Sequence, residues 1–194
     1  MFFFKKKQRP DYKIFLHSVH KFRWIANELK SARPEELVIL IYFFEESREN
    51  MRKLLNAAGI SFENSSGNSL LTNGIHLMDA RSFEGKHLPK ADQVTVLEVH
   101  PMKSINEIPL IAGQENKVTD MVYYTGLDEG VMKVFGGERL QHLMTRMGAE
   151  EDQPIEHSMV NKSIDRATEK AEKETKSHED VRSSQDDWLS ANQM

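Results

Sequence analysis

The sequence predicts an α/β fold: a mostly parallel sheet with helices on both faces, followed by a helical extension. Three observations carry this. The stretch "ELVILIYFF" (Glu36–Phe44) is continuously β-branched and aromatic, the mark of a strand buried on both faces of a parallel sheet. Strand-like and helix-like segments alternate up to Gly126. From Leu127 onward the patterns are helical only.

The elements follow in order. "YKIFLHS" (Tyr12–Ser18) is a short strand or lead-in. "HKFRWIANELKS" places Phe22, Ile25, Ala26 and Leu29 on one helical face, and Pro34 breaks the chain before the buried strand. "SRENMRKLLNAAG" reads as a helix with Ser47 as its N-cap and Gly59 as its stop. "ISFEN" is a weak strand and "SSGNS" a loop. "GIHLMDA" (Gly74–Ala80) and "QVTVLEVH" (Gln93–His100) are strands, separated by the irregular "RSFEGKHLPKAD". "MKSINEIPLIAG" offers Ile105, Ile108 and Leu110 as a short helical face interrupted by Pro109. "KVTDMVYYTG" (Lys117–Gly126) is the last strand.

Beyond it, "DEGVMKVFGG" is a short helical turn closed by Gly136 and Gly137. "ERLQHLMTRMG" aligns Leu140, Leu143, Met144 and Met147, an adaptable stripe suited to core or to helix contact. The segment Ser158–Lys176 puts Val160, Ile164, Ala167 and Ala171 on one side. Glu169 stands four residues before Lys173, and Glu172 four before Lys176, as supporting pairs. Leu140, Leu143, Met144, Met147, Val160 and Ile164 form the candidate partner face. The helix is expected to dock weakly and to be released readily, because its apolar side lacks large residues. The end, "SHEDVRSSQDDWLSANQM", is polar and is expected to be disordered, with Trp188–Leu189 as a candidate docking motif.

Composition narrows the function. A net charge of −4 supplies no basic field for nucleic acid. The absence of cysteine excludes disulfides, thiolate metal sites and cysteine nucleophiles. No apolar run is long enough to span a bilayer. "MFFFKKKQRP" reverses the order of a secretory signal. Its Phe2–Phe4 and Lys5–Lys7 offer a weak contact with an anionic membrane surface, against the simpler reading of a solvated tail.

Chemistry-bearing motifs are scarce. No Gly-Lys-Ser/Thr follows a strand, and neither Gly-x-Gly-x-x-Gly nor Gly-x-Ser-x-Gly occurs, which argues against an autonomous nucleotidase. His17, His20, His76, His87 and His100 lack the spacing of a zinc site. "GAEEDQPIEH" (Gly148–His157) collects four carboxylates and a histidine. Glu156 could orient His157 as a base, but adjacent side chains rarely converge and no nucleophile accompanies them. As structure the stretch is coherent. Gly148 ends one helix, Pro154 prevents its continuation, the acids precede the next N-terminus, and Ser158 is placed to cap it.

That stretch lies within "GLDEGVMKVFGGERLQHLMTRMGAEEDQPIEHSMVNKSIDRA" (Gly126–Ala167), which resembles the SecA family, the motor ATPases of bacterial preprotein translocation. The family typically reads Ser-Leu-Glu-Asp-Asp-Leu-Met-Arg-Ile-Phe-Gly, then an acidic run into Pro-Ile-Glu-His. The matching residues include Asp128, Glu129, Phe135, Gly136, Glu138, Arg139, Gly148, Pro154, Ile155, Glu156 and His157. In the family this stretch joins the second motor domain to the long scaffold helix, so the resemblance implies a connector. "FRWIANELKSARPEELVILIYFFEESRENMRKLLNAAGI" is more faintly similar to the start of that motor domain. Together the resemblance covers roughly residues 22–172.

It implies a RecA-like domain of the P-loop NTPase fold at 13–126, after a basic and aromatic tail at 1–12. A helical extension at 127–176 and a disordered tail at 177–194 follow. The departures are informative. Where the family carries Thr-Asn-Met-Ala-Gly-Arg-Gly-Thr-Asp, this chain has "NGIHLMDARSFEG". Where the family carries phosphate-reaching arginines, it has "EIPLIAGQEN" (Glu107–Asn116), which contains none. The expectation is a degenerate motor domain that is not an enzyme, with no catalytic residue, metal or cofactor. It would be cytoplasmic, or peripheral to the inner membrane, and would bind a protein partner such as a component of the secretion machinery. The alternatives are a half-motor completing an ATPase site in trans, for which Arg81 is the basic residue of interest, or an adaptor unrelated to export.

Overall fold

Six consecutive residues, Leu37–Tyr42, form strand β2, and every one is buried. In the computed structural model the described residues are 10–66, 71–114, 116, 118, 121–175 and 179–194. Strand β2 runs parallel between β4 (Gly74–Asp79) and β5 (Gln93–Val96). Strand β6 (Met121–Gly126) pairs with β5, β1 (Asp11–Phe15) with β6, and β3 (Glu63–Ser65) with β4. The sheet order is therefore β1-β6-β5-β2-β4-β3, with all pairs parallel.

Because side chains alternate along a strand, β2 feeds two cores. Val38, Leu40 and Tyr42 pack with Phe22, Ile25 and Leu29 of α1 (Ser18–Leu29) and with Met51 and Leu55 of α2 (Glu45–Ala57). Ile39 and Ile41 face the other core. There they meet helices α3 (Lys103–Gln114), α4 (Gly130–Val134), α5 (Gly137–Arg146), α6 (Ser158–Glu174) and α7 (Gln185–Ala191). Helices on both faces of a parallel sheet are the α/β arrangement expected from the sequence.

Several local expectations are corrected. The largest concerns the end of the chain, read as a disordered tail over 177–194. Residues 179–194 fold back onto the sheet and include α7, whose Trp188 is fully buried. A Trp side chain buries enough apolar area to order an otherwise polar segment. Helix α3 is continuous through Pro109 rather than interrupted. Pro109, Leu110 and Ala112 are buried against the core, and this packing offsets the lost backbone hydrogen bond. Ser47 does not cap α2, which begins two residues earlier with Phe44 at the N-cap.

Ser158 does not cap α6 either. His157 does, its Nδ1 accepting from the Met159 N–H at 3.2 Å. The acids of α6 reach across to α3: Glu169 pairs with Lys103, and Glu172 accepts from the Ser104 N–H at 3.2 Å. Strand β1 begins at Asp11, inside the span read as an N-terminal tail. The calls on residues 1–9, including Phe2–Phe4 and Lys5–Lys7, lie outside the described residues, as does Lys176. Among the described residues no helix is long and apolar enough to cross a membrane.

Candidate functional site

In a parallel sheet the carboxyl ends of the strands all point one way, and ligands of such folds bind there, where connections diverge to opposite faces. Here β1 and β2 lead into α1 and α2 on one face, while β5 and β6 lead into α3 and α4 on the other. The crevice between them is the candidate site.

Its floor is charged and buried. The Glu98 carboxylate, fully buried after β5, accepts from the N–H groups of Phe43 and Phe44 at the start of α2. Burial pushes its pKa up to about 7, although the Lys21 charge, the Ser47 hydroxyl and the two N–H groups pull it down. Lys21 is 1% exposed and forms an ion pair with Glu129. Burial also raises the Glu129 carboxyl, against the pull of Lys21. Asp128 accepts from the Ser18 N–H at 2.8 Å and so caps α1 from across the sheet. That approach requires Gly126: a Cβ there would lie 2.5 Å from the Asp128 carboxylate and 2.7 Å from the Ser18 nitrogen. A cavity of about 180 Å³ remains, lined by Ser18, Lys21, Ser47, Asp128, Glu129 and Gln185.

Residues 179–194 close the crevice from above. The carbonyls of Arg182 and Ser183 accept from the N–H groups of Glu45 and Glu46 at 2.8 and 2.9 Å. Asp180 holds Arg81 at 2.7 Å, and Asp186 holds Lys133 at 2.7 Å. Arg81, the basic residue of interest for a site shared in trans, is thus occupied within its own chain. His100 follows β5 and is stacked on Phe44, 5.2 Å between centroids at 5°.

Of the connector residues, Asp128 and Glu129 line the crevice and Ile155 docks on the β1 edge. Ile155 is buried, and its N–H donates to the Ile14 carbonyl of β1 at 2.6 Å. Pro154 is half-buried, Glu156 is exposed, and His157 spends its ring nitrogen on the α6 cap. This geometry offers no acid/base pair. Phe135 packs under Lys170, 4.9 Å from its ring. Gly136 and Gly148 adopt left-handed backbone, while Glu138 and Arg139 are exposed. Of the candidate partner face, Met144, Val160 and Ile164 are core residues and Leu140 is half-buried. Only Leu143 and Met147 are open to solvent, at 40% and 58%.

Among the described residues no cluster of three or more metal-ligating side chains exists. His76, for instance, is held between Ser65 and the Thr72 carbonyl, both at 2.8 Å.

No family model matches the chain. Its sequence is 44% identical over 61 residues to the protein translocase subunit SecA of Christiangramia forsetii, covering 31% of this chain and 6% of that one. It is 40% identical over 76 residues to the SecA of Treponema pallidum, covering 39% and 8%. Against the SecA of Rubrobacter xylanophilus it is 32% identical over 99 residues, covering 50% and 11%. The chain carries a SecA-like segment. The matches span about a tenth or less of each SecA relative. Among solved structures, the C-terminal part of the Fun30 ATPase domain aligns with a TM-score of 0.44 and 12% identity, over 77% of this chain and 54% of that one. The Escherichia coli DEAD-box protein SrmB aligns at 0.45 and 14%, over 63% and 79%. These likenesses are distant.

Sequence reasoning missed the crevice. Lys21, Glu98 and the fold-back of residues 179–194 are not among its candidates, and His100 enters only among the histidines weighed for zinc. Two signals were present: a lysine beside the apolar face of a helix, and a glutamate inside the apolar stretch "VTVLEV". Charges in such places are buried and must find partners.

Proposed function

We propose that this chain is a non-catalytic, SecA-like binding module serving protein translocation in the cytoplasm or at the inner-membrane surface. The translocation link is supported by the SecA-like segment. The non-catalytic reading is supported by one observation above all. The start of α2, where helix N–H groups would meet an anion, is filled from within by the Glu98 carboxylate and the Arg182 and Ser183 carbonyls. A phosphate there would also face Glu45, Glu46 and Glu129, with Lys21 already paired. The stretch Glu107–Asn116 offers no arginine to compensate. On this reading the chain binds a protein of the secretion machinery and turns over no nucleotide.

Two measurements test it together. The purified chain should show no thermal stabilisation by ATP and magnesium at tens of micromolar, since any ligand binding the native state raises its stability. It should bind purified translocase components, measured by surface capture, more tightly than unrelated proteins of similar charge. Clear stabilisation by ATP defeats the non-catalytic half; no preference for translocase components defeats the other.

A further inference from the structure

Helix α7 lies in the crevice as a bound ligand would. Trp188 and Leu189 enter the core together, and the Trp188 ring meets His100 edge-on at 5.3 Å. Gln185 sits directly over Gly130, where a Cβ would come within 1.4 Å of its amide oxygen. The residues just before the helix dock by main chain, through the Arg182 and Ser183 carbonyls on the N–H groups that open α2. Side chains therefore contribute two apolar anchors, while the backbone sets the register. This is how an amphipathic helix is held in a groove.

Apart from its anchors, the helix has little stability of its own. At seven residues α7 is too short to be helical in water by itself, so the groove imposes its structure. The ion pair Lys133–Asp186 has both side chains more than half exposed and adds little. We propose that the groove between α2 and α4, floored by His100 and Phe44, is a docking site for a short partner helix carrying an adjacent Trp–Leu pair behind an acidic first turn. Residues 179–194 are its resident, displaceable occupant. An incoming helix binds with its intrinsic affinity reduced by the fraction of time the groove is open. The groove would take such a helix whatever process the chain serves.

The test uses the isotope-labelled full chain and an unlabelled synthetic peptide of residues 179–194, with amide exchange followed by NMR. Excess peptide should accelerate exchange at the chain's own Trp188 and Asn192 at least tenfold. The Glu45 and Glu46 amides should stay protected, because the peptide's carbonyls replace the chain's own. A peptide carrying Trp188→Ala should do neither. The proposal is overturned if the wild-type peptide leaves α7 exchanging as before, or if the substituted peptide acts equally well. Concentration-dependent exchange of α7 without peptide would make a second copy the occupant, and would overturn the assignment to a foreign helix.

Discussion

The indole of Trp188 stands edge-on to the imidazole of His100, 5.3 Å between centroids at 74°, and joins the end of the chain to the end of a central strand. Trp188 is fully buried, so truncating it leaves a cavity that the rigid sheet cannot fill. Trp188→Ala should cost about 3–5 kcal/mol in urea unfolding. A loss below about 1 kcal/mol would mean that residues 179–194 are an appendage rather than part of the fold.

Glu98 makes stability depend on pH. Its folded pKa, about 7, lies above that of an exposed glutamate, so the native state holds the proton more tightly. The contribution is full below the unfolded pKa and is lost as pH rises through about 7. Unfolding free energies from urea titrations should therefore fall between pH 5.5 and 8 more in the wild type than in Glu98→Gln, by roughly 1–3 kcal/mol. Equal pH dependence in the two proteins would remove Glu98 as the cause.

Two adjacent glycines should respond differently to alanine. At Gly136 nothing lies within 4 Å of an added Cβ, and the cost is backbone strain at a φ of 99°, about 1–2 kcal/mol. At Gly137 the added carbon would sit 1.9 Å from the Leu127 carbonyl oxygen, so the junction of α4 and α5 must shift. Gly137→Ala should be clearly the worse variant by thermal melting, at about 3 kcal/mol or more.

In the connector, the roles of neighbours are unequal. His157 caps α6, so His157→Ala should cost about 1 kcal/mol. Glu156 is exposed, and Glu156→Ala should stay within about 0.5 kcal/mol. If either variant abolished partner binding while melting normally, that side chain would belong to the binding interface and not to the connector alone.

The parallel sheet was legible because β2 is unbroken apolar sequence, which only burial on both faces explains. The docked face of α6 was legible from spacing alone: Val160, Ile164, Ala167 and Ala171 are all buried. The fold-back of residues 179–194 was not. Its apolar content is little more than Val181, Trp188 and Leu189, and its register comes from carbonyl groups that every residue has. The N–H groups that open α2 are met by a distant segment, which leaves no local pattern, so Ser47 looked suitable and does not serve; at α6 the neighbouring His157 takes the role that Ser158 offered. Pro109 misled for a related reason, since tertiary burial outweighed a local rule.

Among the described residues strand β1 comes first, yet it stands at the margin of the sheet, beside β6, so Asp11 is matched to Val122. That contact cannot form until synthesis has passed Gly126 and the intervening length has been gathered in. The entropic toll of closing so long a loop falls on one pair of five-residue stretches. Assembly should therefore begin among β2, β4 and β5, whose partners lie closer in sequence, and finish at β1. Until it finishes, Ile14 and Phe15 remain in water, and the nascent chain is most open to chaperones or to misassociation. The same order runs backwards under load. A pull applied at Asp11 would peel away β1 first, and with it the anchor that Ile14 gives to Ile155.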